Sequence, residues 1–112
     1  MVVDLVRNDL SKICVAGTVR VKELYGIYSF PQVYQMISTI QGELPRETHW
    51  ADAIRATFPM GSMTGAPKNR VVDLVERYER TGRGLFSGAI GYITPEEDFD
   101  FNVVIRSLQY NR

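Results

Sequence analysis

Apolar residues recur at helical spacing in two stretches of the chain. Val2, Leu5, Val6 and Leu10 share one face of a helix that starts at the first residues, and Val71, Leu74, Val75 and Tyr78 repeat the i, i+3, i+4, i+7 spacing. Between them the period changes to two. Val15-Ala16-Gly17 turns into a strand over Thr18 to Lys22, and after Pro31 a second strand runs from Val33 to Ile40. Its alternation puts Tyr34, Met36, Ser38 and Ile40 on one face and Gln35, Ile37 and Thr39 on the other. Thr48 is placed to cap a short helix, His49 to Thr57, that stops ahead of Pro59. A hairpin follows, Gly84 to Thr94 and Phe99 to Tyr110, joined through Pro95-Glu96-Glu97-Asp98. Gly88 and Gly91 weaken its first strand, so they are expected to admit a ligand or another backbone closely. Phe99, Phe101, Val103 and Ile105 share the expected core face, with Asn102, Val104, Arg106 and Leu108 opposite. Helices mixed with strands that pair in sequence predict an α+β layer structure with antiparallel sheet.

Composition narrows the function classes. The 112 residues allow one domain at most, and 13 basic against 13 acidic side chains give no bulk pull toward nucleic acid or an anionic membrane. A single cysteine, Cys14, excludes an internal disulfide and a cysteine-rich metal site; in its apolar setting it reads as a buried, inert thiol. No apolar run approaches membrane-spanning length, and the cytoplasm is the default expectation. The first helix begins without a capping residue and the last strand stops two residues from the end. The chain therefore reads as a single partial domain, residues 1–112, cut from a larger protein.

The run Phe58-Pro59-Met60-Gly61-Ser62-Met63-Thr64-Gly65-Ala66-Pro67-Lys68-Asn69-Arg70 carries the densest chemistry. It reads as a loop entering a helix, with Thr64 as N-cap and Pro67 in the first turn. Lys68 and Arg70 stand at the end of the helix dipole that disfavours cations. One reading is an anion held at the helix start by backbone N–H groups and these cations; the other is two basic residues pointing into water. The run is not a Walker A loop, because Ala66 and Pro67 fall where glycine and lysine are needed.

The same run, Phe-Pro-x-Gly-Ser-x-Thr-Gly-Ala-Pro-Lys, resembles the signature of the chorismate-binding enzymes. That family includes component I of aminodeoxychorismate (para-aminobenzoate) synthase and of anthranilate synthase. Asp4-Leu5-Val6-Arg7-Asn8-Asp9, Ser87-Gly88-Ala89-Ile90-Gly91-Tyr92 and Ile105-Arg106-Ser107 resemble three further family segments, in the family's order and over nearly the whole chain. The resemblance implies a piece of the catalytic domain, lying toward the C-terminal side of the longer enzyme. It implies conversion of chorismate, with ammonia drawn from glutamine by an amidotransferase subunit, to aminodeoxychorismate for folate synthesis. The alternatives are formation of anthranilate with loss of pyruvate, and a non-catalytic module that binds a carboxylate or a partner. The 112-residue chain alone is expected to be inactive and to self-associate through uncovered apolar faces.

Site residues follow from the resemblance position by position. Arg106 matches the arginine that binds a chorismate carboxylate; read from the residues alone, a structural ion pair with Asp98 or Asp100 is the favoured reading. Phe86 falls where anthranilate synthases carry tyrosine beside the substrate, and contributes ring packing without the hydroxyl. Ser62 falls where those enzymes carry threonine, and Gly61-Ser62 is closer to the aminodeoxychorismate type; its hydroxyl is a donor to substrate or a loop cap. Gln35 stands at a frequent histidine position, ahead of Ser38-Thr39, and glutamine hydrogen-bonds without carrying a proton near neutral pH. Gln35 and Ser62 form the expected catalytic set, and Arg106, Phe86, Gly61, Thr64 and Lys68 the substrate-binding set. His49 matches no family catalytic position and reads as a surface or capping residue. The resemblance also implies Mg²⁺, held by glutamates on two segments outside this chain.

Overall fold

The structure, a computed structural model, describes residues 1–111. The chain divides into two compact units, Met1–Thr57 and Phe58–Arg112.

In the first unit, α1 spans Val2–Ser11, β1 Arg20–Ser29, β2 Tyr34–Gln41 and α2 Trp50–Thr57. Helix α1 packs on α2 and β2. Its polar side is a local network: Arg7 reaches Asp4 at 3.2 Å and Lys12 reaches the buried Asp9 at 3.0 Å, while the Ser11 hydroxyl donates to the Asn8 carbonyl at 2.8 Å. The Asp4–Asp9 segment is thus a helix with its own ion pairs. Thr48 does not cap α2. His49, the residue after it, does, its Nδ1 accepting from the Ala51 N–H at 3.2 Å. Cys14 is half-buried, and the loss of solvent pushes its thiol above the ordinary value, the state of an unreactive cysteine.

The first strand runs well beyond the expected Lys22. It pairs antiparallel with β2 from Arg20↔Gln41 to Ser29↔Tyr34, with register shifts between Val21 and Glu23 and between Glu23 and Gly26. Tyr25 sits in this irregular stretch at φ 59, and its N–H donates to Ser38 Oγ at 3.0 Å rather than to a ladder carbonyl. The bulge breaks the two-residue period, which hides the strand from a pattern reading. Phe30 N–H to Val33 carbonyl, 2.9 Å, closes the turn that Pro31 marks.

In the second unit a 3-10 turn, Gly61–Met63, precedes α3 (Lys68–Tyr78), and β3 (Ala89–Ile93) pairs antiparallel with β4 (Phe99–Val103) in the register Ala89↔Val103 to Ile93↔Phe99. The hairpin is shorter than expected at its open end. Ser87 bends out at φ 67 and Arg106 at φ 52, so Arg106 lies beyond the strand rather than within it. The expected core face is also not a core. Phe99 and Phe101 are exposed, because a two-stranded sheet alone has no second layer to bury its face. In both units apolar strand residues stand in the open: Ile27 and Ile90 are each 67% exposed, and Ala53 is the one buried apolar side chain among the described residues. Among the described residues no helix is long and apolar enough to cross a membrane.

Gly91 admits another backbone, as its position suggested. A Cβ there would collide with the Asp100 carbonyl and lie 2.7 Å from Phe101 Cα on β4. Gly91→Ala is expected to break the β3–β4 pairing, with a cost of about 1–3 kcal/mol as for other overpacked sites. Cross-strand contacts in NMR spectra of the variant would report it, and an intact Gly91–Phe101 pairing would contradict it.

Candidate functional site

The signature run builds a wall of the second unit. Gly61 is buried, and Ser62 points outward from the 3-10 turn with no hydrogen bond among the described residues. Thr64 does not cap α3. It ends the 3-10 turn and its hydroxyl donates back to the Met60 carbonyl at 3.2 Å. Pro67, extended at ψ 136, takes the N-cap position instead, and the first helical bond runs from Val71 N–H to the Pro67 carbonyl at 3.1 Å. Helix α3 therefore begins at Lys68 with no side-chain cap and no acid in its first turn. Gly65, at φ 149, has Val71 against it, 3.2 Å from where a Cβ would stand. Phe58–Pro59 and Ala66–Pro67 are cis.

Behind this wall lies a cavity of about 220 Å³, lined by Phe58, Thr64, Val72, Val75, Phe86 and Ser87 together with Arg83. Two expected site residues, Thr64 and Phe86, meet there. Arg83 is a residue the sequence reading missed, while Ser87 entered it only as part of a family-like segment. The only signal was the i, i+4 spacing of Glu79 and Arg83, which is a common surface pair on helices. Here the pair lies past the helix end and works differently. Arg83 Nε reaches Glu79 Oε2 at 2.7 Å and Nη2 reaches Oε1 at 2.5 Å, a bidentate fork. Nη1 donates to Ser87 Oγ at 3.2 Å and to the Met63 carbonyl at 3.5 Å. The guanidinium lies 5.9 Å from the Phe86 ring centroid.

Ser87 is buried at φ 67, a backbone state unusual for serine. It is held on both sides: its N–H donates to the Val104 carbonyl at 2.9 Å and the Val104 N–H donates to Gly88 at 3.0 Å. Those two bonds fasten the Phe86 turn to the segment that carries Arg106. Arg106 itself is exposed, and no ion pair joins it to Asp98 or Asp100, so the structural-partner reading of this arginine has no support. Lys68 is half-buried at the helix start and Arg70 is exposed. Gln35 belongs to the first unit, exposed on β2 opposite Tyr28, whose hydroxyl is already committed to Glu23. Among the described residues no three His, Cys, Asp or Glu side chains gather to hold a metal ion. The resemblance places the glutamates for Mg²⁺ on segments outside this chain.

A model of the family described as chorismate binding enzyme matches residues 1–112. The chain belongs to the chorismate-binding enzyme family. Relatives include an aminodeoxychorismate synthase of Arabidopsis thaliana, 45% identical over 96% of this chain and 12% of that protein, and aminodeoxychorismate synthase component 1 of Escherichia coli, 43% identical over 96% of this chain and 24% of that protein. Anthranilate synthase component 1 of Mycolicibacterium smegmatis is also 43% identical, over 96% of this chain and 20% of that protein. The crystal structure of anthranilate synthase component I from Streptococcus pneumoniae superimposes with a TM-score of 0.84 at 37% identity, covering 95% of this chain and 24% of that one. The chain thus spans between 12% and 24% of the length of these chorismate-binding proteins.

The Glu79–Arg83 fork has a pH signature. The guanidinium beside it holds the Glu79 carboxyl below the usual glutamate range, mainly through the hydrogen bonds. A depressed folded value means that the pair's stabilisation is complete above the ordinary glutamate range and is lost as pH falls through the folded value. The melting temperature of the chain is expected to fall across that acid window, and Glu79→Gln to flatten that part of the profile. An unaltered profile in the variant would contradict the fork.

Proposed function

We propose that this chain is part of an aminodeoxychorismate synthase component I, which replaces the ring hydroxyl of chorismate with ammonia. The ammonia would come from glutamine through an amidotransferase partner. Membership in the family supports chorismate as substrate. The relatives' identities do not choose between the two reactions, since a named anthranilate synthase reaches the same 43% as a named aminodeoxychorismate synthase component 1. The observation that carries the choice is Gly61-Ser62, the pair that resembles the aminodeoxychorismate type, with a serine hydroxyl exposed and uncommitted.

In this reading Ser62 donates to a substrate oxygen and Arg106 grips a carboxylate with its planar fork. The Phe86 ring packs on the apolar side of the substrate, and Lys68 adds positive charge at the helix start. Incubating the whole protein with chorismate and ammonium, and separating products by chromatography and mass, tests the proposal. Aminodeoxychorismate is expected; anthranilate with pyruvate would favour the second reading and overturn this one.

Arg106→Ala in the same protein is expected to weaken chorismate binding by about thirtyfold to several thousandfold, the range for losing a charge-assisted contact of about 2–5 kcal/mol. The melting temperature should hold, since the residue has no ion pair to lose. Arg106→Lys should recover only part of the affinity, because an ammonium lacks the fork. An unchanged Michaelis constant for the alanine variant would remove Arg106 from the site.

A further inference from the structure

The residues proposed to touch substrate in the second unit sit on three separate segments: Ser62 on the 3-10 turn, Phe86 on the turn before β3, and Arg106 beyond β4. Each of these three side chains is exposed, and nothing in its own segment sets its position against the others. One side chain joins them. Arg83 Nη1 donates to the Met63 carbonyl, directly after Ser62, and to Ser87 Oγ, directly after Phe86. Ser87 in turn is bonded through its backbone to Val104, two residues before Arg106. The other edge of the guanidinium is locked by both oxygens of Glu79, which accepts at the end of α3.

We propose that Arg83 is a positioning residue for the reaction: held by Glu79, it keeps Ser62, Phe86 and Arg106 in register with one another without touching substrate. The proposal rests on the chorismate reading given above. The chemistry suits arginine alone. A planar fork satisfies a carboxylate with two donors on one edge and still presents a nitrogen to two acceptors on different segments. A lysine ammonium, a compact charge with three donors, keeps the Glu79 pair but does not span both turns. The geometry is fixed from the outside, because Glu79 both neutralises the charge and sets the plane of the guanidinium. The α3 helix end thereby becomes the reference frame for the two turns.

A double-mutant cycle in the whole protein, turning over chorismate with ammonium, tests it. Arg83→Lys is expected to lower kcat/KM about ten- to hundredfold, the range for hydrogen bonds to a charged group. Ser62→Ala sets the second side of the cycle. If Arg83 acts by positioning Ser62, the double variant should lose clearly less than the product of the two single losses, because a misplaced hydroxyl has little left to lose. A role in bulk stability would give multiplying losses. Glu79→Gln, which leaves Arg83 in place but loosens its hold, runs through the same cycle and should show the same coupling with a smaller loss. It carries the test if Arg83→Lys does not fold. Multiplying losses, or unchanged kcat/KM in Arg83→Lys or in Glu79→Gln, would overturn the positioning role. Failure of the unsubstituted protein to turn over chorismate would instead overturn the functional reading, and the positioning role with it.

Discussion

An arginine does not shed its charge inside a protein, so a guanidinium drawn partly out of water obliges its surroundings to supply acceptors. Arg83, with its side chain 26% exposed, imposes that demand on the second unit. A carboxylate at the end of α3 answers two of its donors, and a serine hydroxyl and a loop carbonyl answer two more. Much else in the unit follows. Ser87 holds an unusual backbone state at φ 67 because its hydroxyl and its amide are both engaged. The Phe86 turn is then pinned to the strand exit by the Ser87 and Val104 amides, and the hairpin ends where that pinning begins.

Local chemistry was legible where local chemistry decides. The apolar stripes of α1 and α3 were visible, as were the turn at Pro31 and the close backbone at Gly91. The misreadings share a cause, which is that distant partners override residue type. Glu23 to Gly26 loses its two-residue period because Ser38, on the neighbouring strand, draws off the Tyr25 amide. Thr64 looks like an N-cap, yet the helix starts beyond Pro67, whose extended ψ of 136 leaves the threonine hydroxyl to bond back to Met60. Arg106 looked like a mid-strand residue by alternation. The ladder had already ended at Val103, so alternation no longer applied.

The candidate site was legible only as a list of positions. Sequence resemblance named Ser62, Phe86, Thr64 and Arg106, but the side chain that relates them, Arg83, belongs to no residue pattern that signals function. The apolar strand faces tell a parallel story. Their patterning is that of buried sheet, while each sheet has two strands and the faces stand open, as with Ile27 and Ile90. Relatives of which this chain matches at most 24% have several times as much chain.

We propose that the second unit presents Ser62, Phe86 and Arg106 to one molecule of chorismate. A crystal structure of the whole protein with chorismate bound tests it most directly. A substrate carboxylate is expected within hydrogen-bond distance of the Arg106 guanidinium, with another substrate oxygen on Ser62 Oγ, and Arg83 still forked to Glu79 and out of contact with the ligand. Chorismate bound with Arg106 left in solvent, or with Arg83 turned from Glu79 onto the substrate, would contradict it.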